Sequence, residues 1–284
     1  MHPISNVLKD AANTLKNYGV TMPELDSRIL LAHYLKVSKE YLIINHDQKL
    51  STEQLKEYSK FIIRRGHGEP TSKITQSKEF YGREFIVNDF VLDPRPDSEL
   101  IIDVVKESFS KDEDIKILDL GTGSGCLIIT LLLEFENSRG LGLDISEKAI
   151  QVASLNAGKY SLDNRLSLVV SNWLESVNIN SFNVIISNPP YIPNNQISEL
   201  APEVKDFDPI LALDGGDDGL RCYENILSQL NDNELNLKSM IMMELFSENK
   251  NKVIESFIKY GFEKEKIEIR KDYNNKDRLI FIKQ

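Results

Sequence analysis

The chain has 284 residues, 41% of them hydrophobic and 27% charged, which suits a globular core domain with a smaller one beside it. Lys and Arg number 34 against 44 Asp and Glu, and the net charge of −10 with no basic block argues against direct nucleic-acid binding, which rests on cations neutralising phosphates; Arg64-Arg65 is the best local exception. Two cysteines, Cys126 and Cys222, exclude a disulfide framework and point to a reducing compartment, and with only four scattered histidines they offer no metal cluster.

No cationic segment leads into an apolar stretch at the N-terminus, so no signal peptide is expected. The longest apolar run, 126–135, is broken by Thr130 and Glu134 and is about half of what a membrane span needs. These features lead to the expectation of a soluble, cytoplasmic protein with no membrane partner. Apolar residues recur at helical spacing over 4–15, 23–35, 38–44 and 52–63. Ser51-Thr52-Glu53-Gln54 offers a cap for the last of these helices, and Gly66 with Gly68 stops it. Residues 1–72 therefore read as a small helical domain. Residues 80–87 alternate around Gly82 and predict a hairpin, placed in a linker over 73–95. From Ile115 onward strands alternate with helices, the pattern of an α/β domain with a parallel sheet over 96–284. The last two strands, near 265–270 and 279–282, follow too closely for a crossover helix, so an antiparallel pair should finish the sheet. The polar stretches 231–236 and 272–277 read as surface loops.

Within the α/β part, chemistry-bearing residues stand at the ends of four strands in turn. Ile117-Leu118-Asp119-Leu120 runs into Gly121-Thr122-Gly123-Ser124-Gly125 and then a helical pattern, reading as strand, tight loop and helix start. Glycines admit close backbone approach, and the helix N-terminus offers unpaired N–H groups. The dinucleotide fingerprint G-x-G-x-x-G is not met, since the third glycine comes one position early and Cys126 stands in its place. The next strand ends at Asp144, suited to accept ribose hydroxyls; Ser146 is the better cap for the following helix, which leaves Asp144 for a ligand. The strand 166–170 is followed by Asn172-Trp173, and the only tryptophan of the chain is either core or a cover for an adenine ring. Behind the apolar run 182–187 comes Asn188-Pro189-Pro190-Tyr191. Proline removes donors and stiffens the corner, and the residue before it is held extended. A carboxamide oxygen at Asn188, a carbonyl at Pro189 and an aromatic face at Tyr191 together suit gripping a planar –NH2 by both hydrogens. The plain alternative is a proline-rich turn with Tyr191 as packing.

This order resembles the class I S-adenosylmethionine-dependent methyltransferases. Within them the chain is similar to the protein-(glutamine-N5) methyltransferases that modify peptide chain release factors, the HemK/PrmC family. The resemblance rests on residues 91–99 (Val-Leu-Asp-Pro-Arg-Pro-Asp-Ser-Glu), the glycine loop, the Asn188 corner, Glu203 with 212–220 (Ala-Leu-Asp-Gly-Gly-Asp-Asp-Gly-Leu), and Asp272 with Asp277-Arg278. It implies a Rossmann-like methyltransferase sheet and S-adenosylmethionine as cofactor, with S-adenosylhomocysteine as product and no metal. It also implies release factors as protein partner, a monomer, and a role for the helical domain in recognising the substrate. By the same resemblance Gly121, Thr122, Gly123, Ser124, Gly125, Asp144, Trp173 and Asn188 contact the cofactor. Asn188, Pro189, Pro190, Tyr191 and Arg95 hold the substrate, with Asn188 and Pro189 the catalytic pair. Arg95, between two prolines, is either a surface charge or a guanidinium held at the pocket rim; Glu244 reads as a buried structural carboxylate. The chain departs from the family pattern at Asn172 (usually Asp), Phe246 (usually Gly), Asn249 (usually Gln) and Asn275 (usually Gly). Three other functions compete: a nucleic-acid base methyltransferase using the same amine clamp, a non-catalytic cofactor-binding protein, and a nicotinamide dehydrogenase.

Overall fold

Helical spacing in the first part of the chain and βαβ alternation in the rest give two kinds of architecture. The computed structural model describes residues 2–175, 177–232 and 239–283. The chain clusters into two units, Met1–Ser77 with Ala201–Phe207, and Lys78–Leu200 with Asp208–Gln284.

The first unit holds a two-residue strand pair, β1 (His2–Pro3) and β2 (Lys49–Leu50), and the helices α1 (Ile4–Asn17), α2 (Pro23–Leu35), α3 (Lys39–Ile44), α4 (Thr52–Gly66) and α5 (Thr71–Thr75). Ile4, Val7, Ala11 and Leu15 form one stripe of α1 and bury against Leu30, Leu31, Tyr58 and Ile62. Sequence sets the helix starts: Pro23 occupies the first turn of α2, and Ser51 and Gln54 form a reciprocal capping box at α4. The basic pair is not a free patch. Arg65, 7% exposed, donates to Asp26 at 2.6 Å and to Glu203 at 3.3 Å, and Arg64 donates to Glu69 at 2.7 Å.

The second unit begins inside the expected hairpin, one residue into β3 (Ser77–Phe80), which pairs with β4 (Arg83–Ile86); the turn residues Tyr81 and Gly82 have φ +51° and +69°. Phe80 and Phe85 bury in the main core, so the hairpin is part of this unit. The rest of the unit comprises α6 (Glu99–Ser108), β5 (Lys116–Leu120), α7 (Cys126–Glu134), β6 (Arg139–Asp144), α8 (Glu147–Lys159), β7 (Leu166–Val170), β8 (Val184–Ser187), α10 (Arg221–Asp232), β9 (Met240–Glu244), α11 (Lys250–Lys259), β10 (Ile267–Lys271) and β11 (Asp277–Ile282). The short α9 (Pro202–Lys205) lies in the stretch that joins the first unit. Seven strands form one sheet in the order β10-β11-β9-β8-β5-β6-β7. β7, β6, β5, β8 and β9 are parallel, and β11 runs antiparallel between β9 and β10, the expected closing pair. Alternate residues serve opposite faces: Val184 and Ile186 join one core cluster and Ile185 the other, as do Met240 and Met242 against Ile241 and Met243. The expected loop 231–236 ends α10 at its first two residues, and the remainder, 233–236, lies outside the described residues.

β5 has β6 on one side and β8 on the other, so the chain winds outward in both directions from it. Such a switch point opens a crevice beyond the carboxyl ends of the strands.

Candidate active site

A cavity of about 340 Å³ lies in that crevice, lined on one side by Gly121, Thr122, Gly123, Ser124, Asp144 and Trp173. Its size is within the range of small-molecule sites. Gly121 and Thr122 donate their backbone N–H to the Leu143 carbonyl, which turns the loop over the end of β6. Gly123 has φ +54° and no neighbour where a side chain would go, so its backbone presents a bare edge to the cavity. Gly125, expected among the cofactor contacts, does not line the cavity; a Cβ there would meet Ile129 at 2.9 Å and Ala153 at 3.3 Å, so it serves helix packing. Asp144 is not left free as expected. Its Oδ2 accepts from Gly123 N and its Oδ1 from Ser146 N, both at 2.9 Å, while Ser146 caps α8. A carboxylate has about four lone-pair sites, so capacity for hydroxyl donors remains. Burial pushes the Asp144 carboxyl above its usual range, against the pull of those two N–H groups. Behind it, fully buried Asp119 accepts from Thr122 Oγ1 at 2.7 Å while its Oδ1 has no partner among the described residues, and burial with the nearby Asp144 charge pushes it up to about 7. Trp173 stands beside Gly121 with φ +55°, and Asn172 donates to Glu175 at 2.7 Å. Cys126 lines the same cavity, and burial raises its thiol to about 12, which disfavours the thiolate.

The other side is built around Asn188 at the end of β8. Ser187 Oγ donates to Leu120 O at 2.7 Å and ties β8 to β5 just before the corner. Asn188 and Pro190 line the cavity; Pro189 and Tyr191 do not. Asn188 Nδ2 donates to Ser98 Oγ at 3.0 Å, and Ser98 Oγ donates to Glu244 Oε2. Among the described residues neither Asn188 Oδ1 nor the Pro189 carbonyl accepts a hydrogen bond. Tyr191 donates its hydroxyl to Glu244 Oε1 at 3.2 Å, and its ring stacks on Phe246 with centroids 5.9 Å apart and planes 2° from parallel. Phe246, a departure from the family pattern, thus backs the aromatic ring. Glu244, at 2% exposure, also holds Tyr223 through its backbone oxygen at 2.7 Å. Burial raises its carboxyl, with Ser98, Arg278 and Tyr191 pulling it back.

Residues 212–220 brace this corner. Ile192 and Asp214 form a parallel bridge, and a Cβ on Gly215 or Gly219 would meet Tyr191 backbone atoms at 2.8 or 2.4 Å, an approach only glycine permits. Asn249 donates to Asp218 O at 3.2 Å. Arg95 is a held guanidinium at the rim: Nη2 donates to buried Asp208 at 2.6 Å, and the same carboxylate accepts Asp93 N at 3.3 Å. The 272–277 turn is only partly a surface loop. Tyr273 is 95% exposed, but Asp272 is buried, accepts Asn274 N and Lys276 N and pairs with Arg278. Asn275, where the family has Gly, adopts φ +61°, which Asn tolerates better than other side chains. The sequence reading missed Ser98 and Asp208, and gave Glu244 no link to Asn188. Ser98 lies inside the Pro-Arg-Pro segment 94–99, but nothing local tells which residue it reaches. Among the described residues no group of His, Cys, Asp and Glu is arranged to hold a metal, and no helix is long and apolar enough to cross a membrane.

The sheet order and the crevice define a class I methyltransferase fold. The catalytic domain of hMettl16, solved with an MAT2A 3′UTR hairpin, shares that fold with a TM-score of 0.60 at 14% identity, covering 76% of this chain and 83% of that one. Residues 6–75 match the PrmC N-terminal domain family and residues 96–204 the methyltransferase small domain family. A release factor glutamine methyltransferase of Agrobacterium fabrum is 34% identical over 281 residues, 98% of this chain and 96% of that protein. A bifunctional methyltransferase of Rickettsia conorii is 36% identical over 305 residues, which takes in 98% of this chain but 57% of the relative, so the chain spans little more than half the length of such proteins. The chain belongs to the release factor glutamine methyltransferase family.

Proposed function

We propose that the chain transfers a methyl group from S-adenosylmethionine to the side-chain amide nitrogen of the glutamine in the Gly-Gly-Gln motif of peptide chain release factors. The observation that carries this reading is the Asn188 corner at the end of β8, where among the described residues neither Asn188 Oδ1 nor Pro189 O accepts a hydrogen bond and Asn188 lines the glycine-loop cavity. S-adenosylmethionine, when bound, supplies an electrophilic methyl carbon to a nitrogen lone pair and leaves as S-adenosylhomocysteine. The residues present fit that group: the bare Gly123 edge and Thr122 for its amino-acid half, the remaining lone pairs of Asp144 for ribose hydroxyls, and Trp173 for the adenine face.

An amide nitrogen is a weak nucleophile because its lone pair is delocalised into the carbonyl. Asn188 Oδ1 and Pro189 O accept its two hydrogens, fix its plane and stabilise the positive charge that grows on the nitrogen as the new bond forms. Positioning of this kind supplies roughly 7–11 kcal/mol of a barrier, and acceptors aimed at developing positive charge act more on the transition state than on the ground state. The methylated nitrogen then loses its proton to water, so no side chain is assigned as general base. Tyr191, held by Glu244 and Phe246, stiffens the corner, and Arg95, held by Asp208 at the cavity rim, is assigned to binding the substrate. The helical unit, placed by sequence at 1–72, is assigned to docking the protein substrate, with 96–284 as the catalytic domain. A monomer acting on a release factor, without direct nucleic-acid contact and in the cytoplasm where translation runs, completes the proposal.

The test offers labelled S-adenosylmethionine with a purified release factor, the same factor with its Gly-Gly-Gln glutamine changed to Ala, tRNA and DNA. Label is expected in the unaltered factor alone. Equal labelling of both factors, or labelling of nucleic acid only, contradicts the proposal.

A further inference from the structure

Ser98 and Glu244 lie 90 and 56 positions from Asn188, yet they make one chain of hydrogen bonds with it. A hydroxyl has one proton. Ser98 spends that proton on Glu244 Oε2, so toward Asn188 its oxygen has only lone pairs left. The carboxamide atom 3.0 Å away must therefore be the –NH2 nitrogen, since an oxygen there would face another oxygen with no proton between them. Once Nδ2 is turned inward, Oδ1 is the atom presented to the cavity. Glu244 is itself fixed as an acceptor by a second hydroxyl, that of Tyr191, on its other oxygen.

We propose that Ser98, polarised by Glu244, is a positioning residue that sets which atom of the Asn188 carboxamide faces the substrate, and so makes the site an acceptor for an amide –NH2 and a poor host for a carboxylate. This rests on the function proposed above and names a determinant of its specificity for glutamine over glutamate. With Ser98 keeping Oδ1 outward, a glutamate side chain would set its carboxylate against Asn188 Oδ1 and the Pro189 carbonyl, three acceptors with no proton among them. Without Ser98, a carboxamide rotated by half a turn offers its –NH2 outward and loses that discrimination.

Two readouts are taken on wild type, Ser98→Ala, Ser98→Cys (similar in size, with a weak acceptor) and Ser98→Thr (hydroxyl kept). The first needs no substrate: the side-chain –NH2 signal of Asn188 in a nitrogen-15 spectrum, identified by its loss in Asn188→Ala, and its proton-exchange rate. Slow exchange is expected in wild type and Ser98→Thr, and fast exchange in Ser98→Ala and Ser98→Cys. The second is steady-state kinetics with a Gly-Gly-Gln peptide and inhibition by its Gly-Gly-Glu counterpart. In Ser98→Ala and Ser98→Cys, kcat is expected to fall roughly 10- to 100-fold, the cost of misaligning a reacting pair, with KM for S-adenosylmethionine unchanged and stronger inhibition by the glutamate peptide. Ser98→Thr should restore both. An Asn188 signal indifferent to Ser98→Ala and Ser98→Cys, or variants that keep wild-type kcat and Gln/Glu selectivity, would overturn the inference. If wild type fails to methylate the glutamine peptide at all, the proposed function falls, and the Asn188 signal alone decides the role of Ser98.

Discussion

The two sides of the cavity are made in different ways. On the glycine-loop side the contacts are local: Gly121 and Thr122 bond the end of the neighbouring strand, and Asp144 holds Gly123 and Ser146. On the Asn188 side a four-residue corner depends on side chains from distant stretches, with Ser98, Glu244 and Phe246 beneath it and Gly215 and Gly219 against its backbone. The first side is backbone geometry that a strand–loop–helix sequence generates by itself. The second is an orientation of one carboxamide, and only tertiary contacts fix it. On the function proposed above, cofactor binding falls to the local loop and the choice of acceptor atom to the long-range network.

The largest expected effect concerns stability on the glycine-loop side. Asp119 carries a buried oxygen without a partner among the described residues, and its carboxyl is raised from 3.8 to about 7, chiefly by burial. A carboxyl whose folded-state pKa lies above its unfolded value stabilises the fold while protonated; that contribution is complete below pH about 3.8 and lost as pH rises through about 7. A rise of that size corresponds to roughly 4 kcal/mol. Asp119→Asn, whose carboxamide oxygen can still accept from Thr122, should therefore gain stability relative to wild type as pH rises across this window, measured by denaturant titration at several pH values. Parallel curves for the two proteins would contradict it.

Next in size is the clamp. Asn188→Ala should lower kcat roughly 100- to 1,000-fold, in keeping with loss of one preorganised group at a reacting centre, while calorimetry shows unchanged cofactor affinity. Equal loss of both would merge the two sides. Asp144→Asn should do the reverse: cofactor binding weakened roughly 10- to 100-fold, the worth of charged hydrogen bonds, with kcat near wild type at saturation. A fall in kcat without a change in affinity would remove Asp144 from the cofactor side. The smallest effect belongs to Phe246→Ala, which should cost about 1 kcal/mol of stability for the lost ring stack and leave cofactor affinity untouched. A large loss of cofactor binding in that variant would show that the two sides are not separable.

This contrast also explains what could be read in advance. Helical periodicity made α1 to α4 legible, strand–helix alternation the parallel strands, and a connection too short for a crossover helix the antiparallel finish. The glycine loop, Asp144, Trp173 and Asn188 were legible as strand-end residues. Asp144's engagement with Gly123 was not, since it depends on how two loops meet. Ser98 and Glu244 were visible as residues and invisible as partners of Asn188, because no spacing rule links positions that far apart. Phe246 and Asn275 looked like departures, and both gained a physical role only when a stacked ring and a left-handed backbone were in view.

The most direct measurement is fragmentation mass spectrometry of a release factor incubated with S-adenosylmethionine and wild-type protein, with Asn188→Ala alongside. One added methyl on the Gly-Gly-Gln glutamine side chain, absent with the variant although it still binds cofactor, is the result expected. A methyl on any other residue, or on that glutamine at equal yield with both proteins, would contradict the role given to the Asn188 corner.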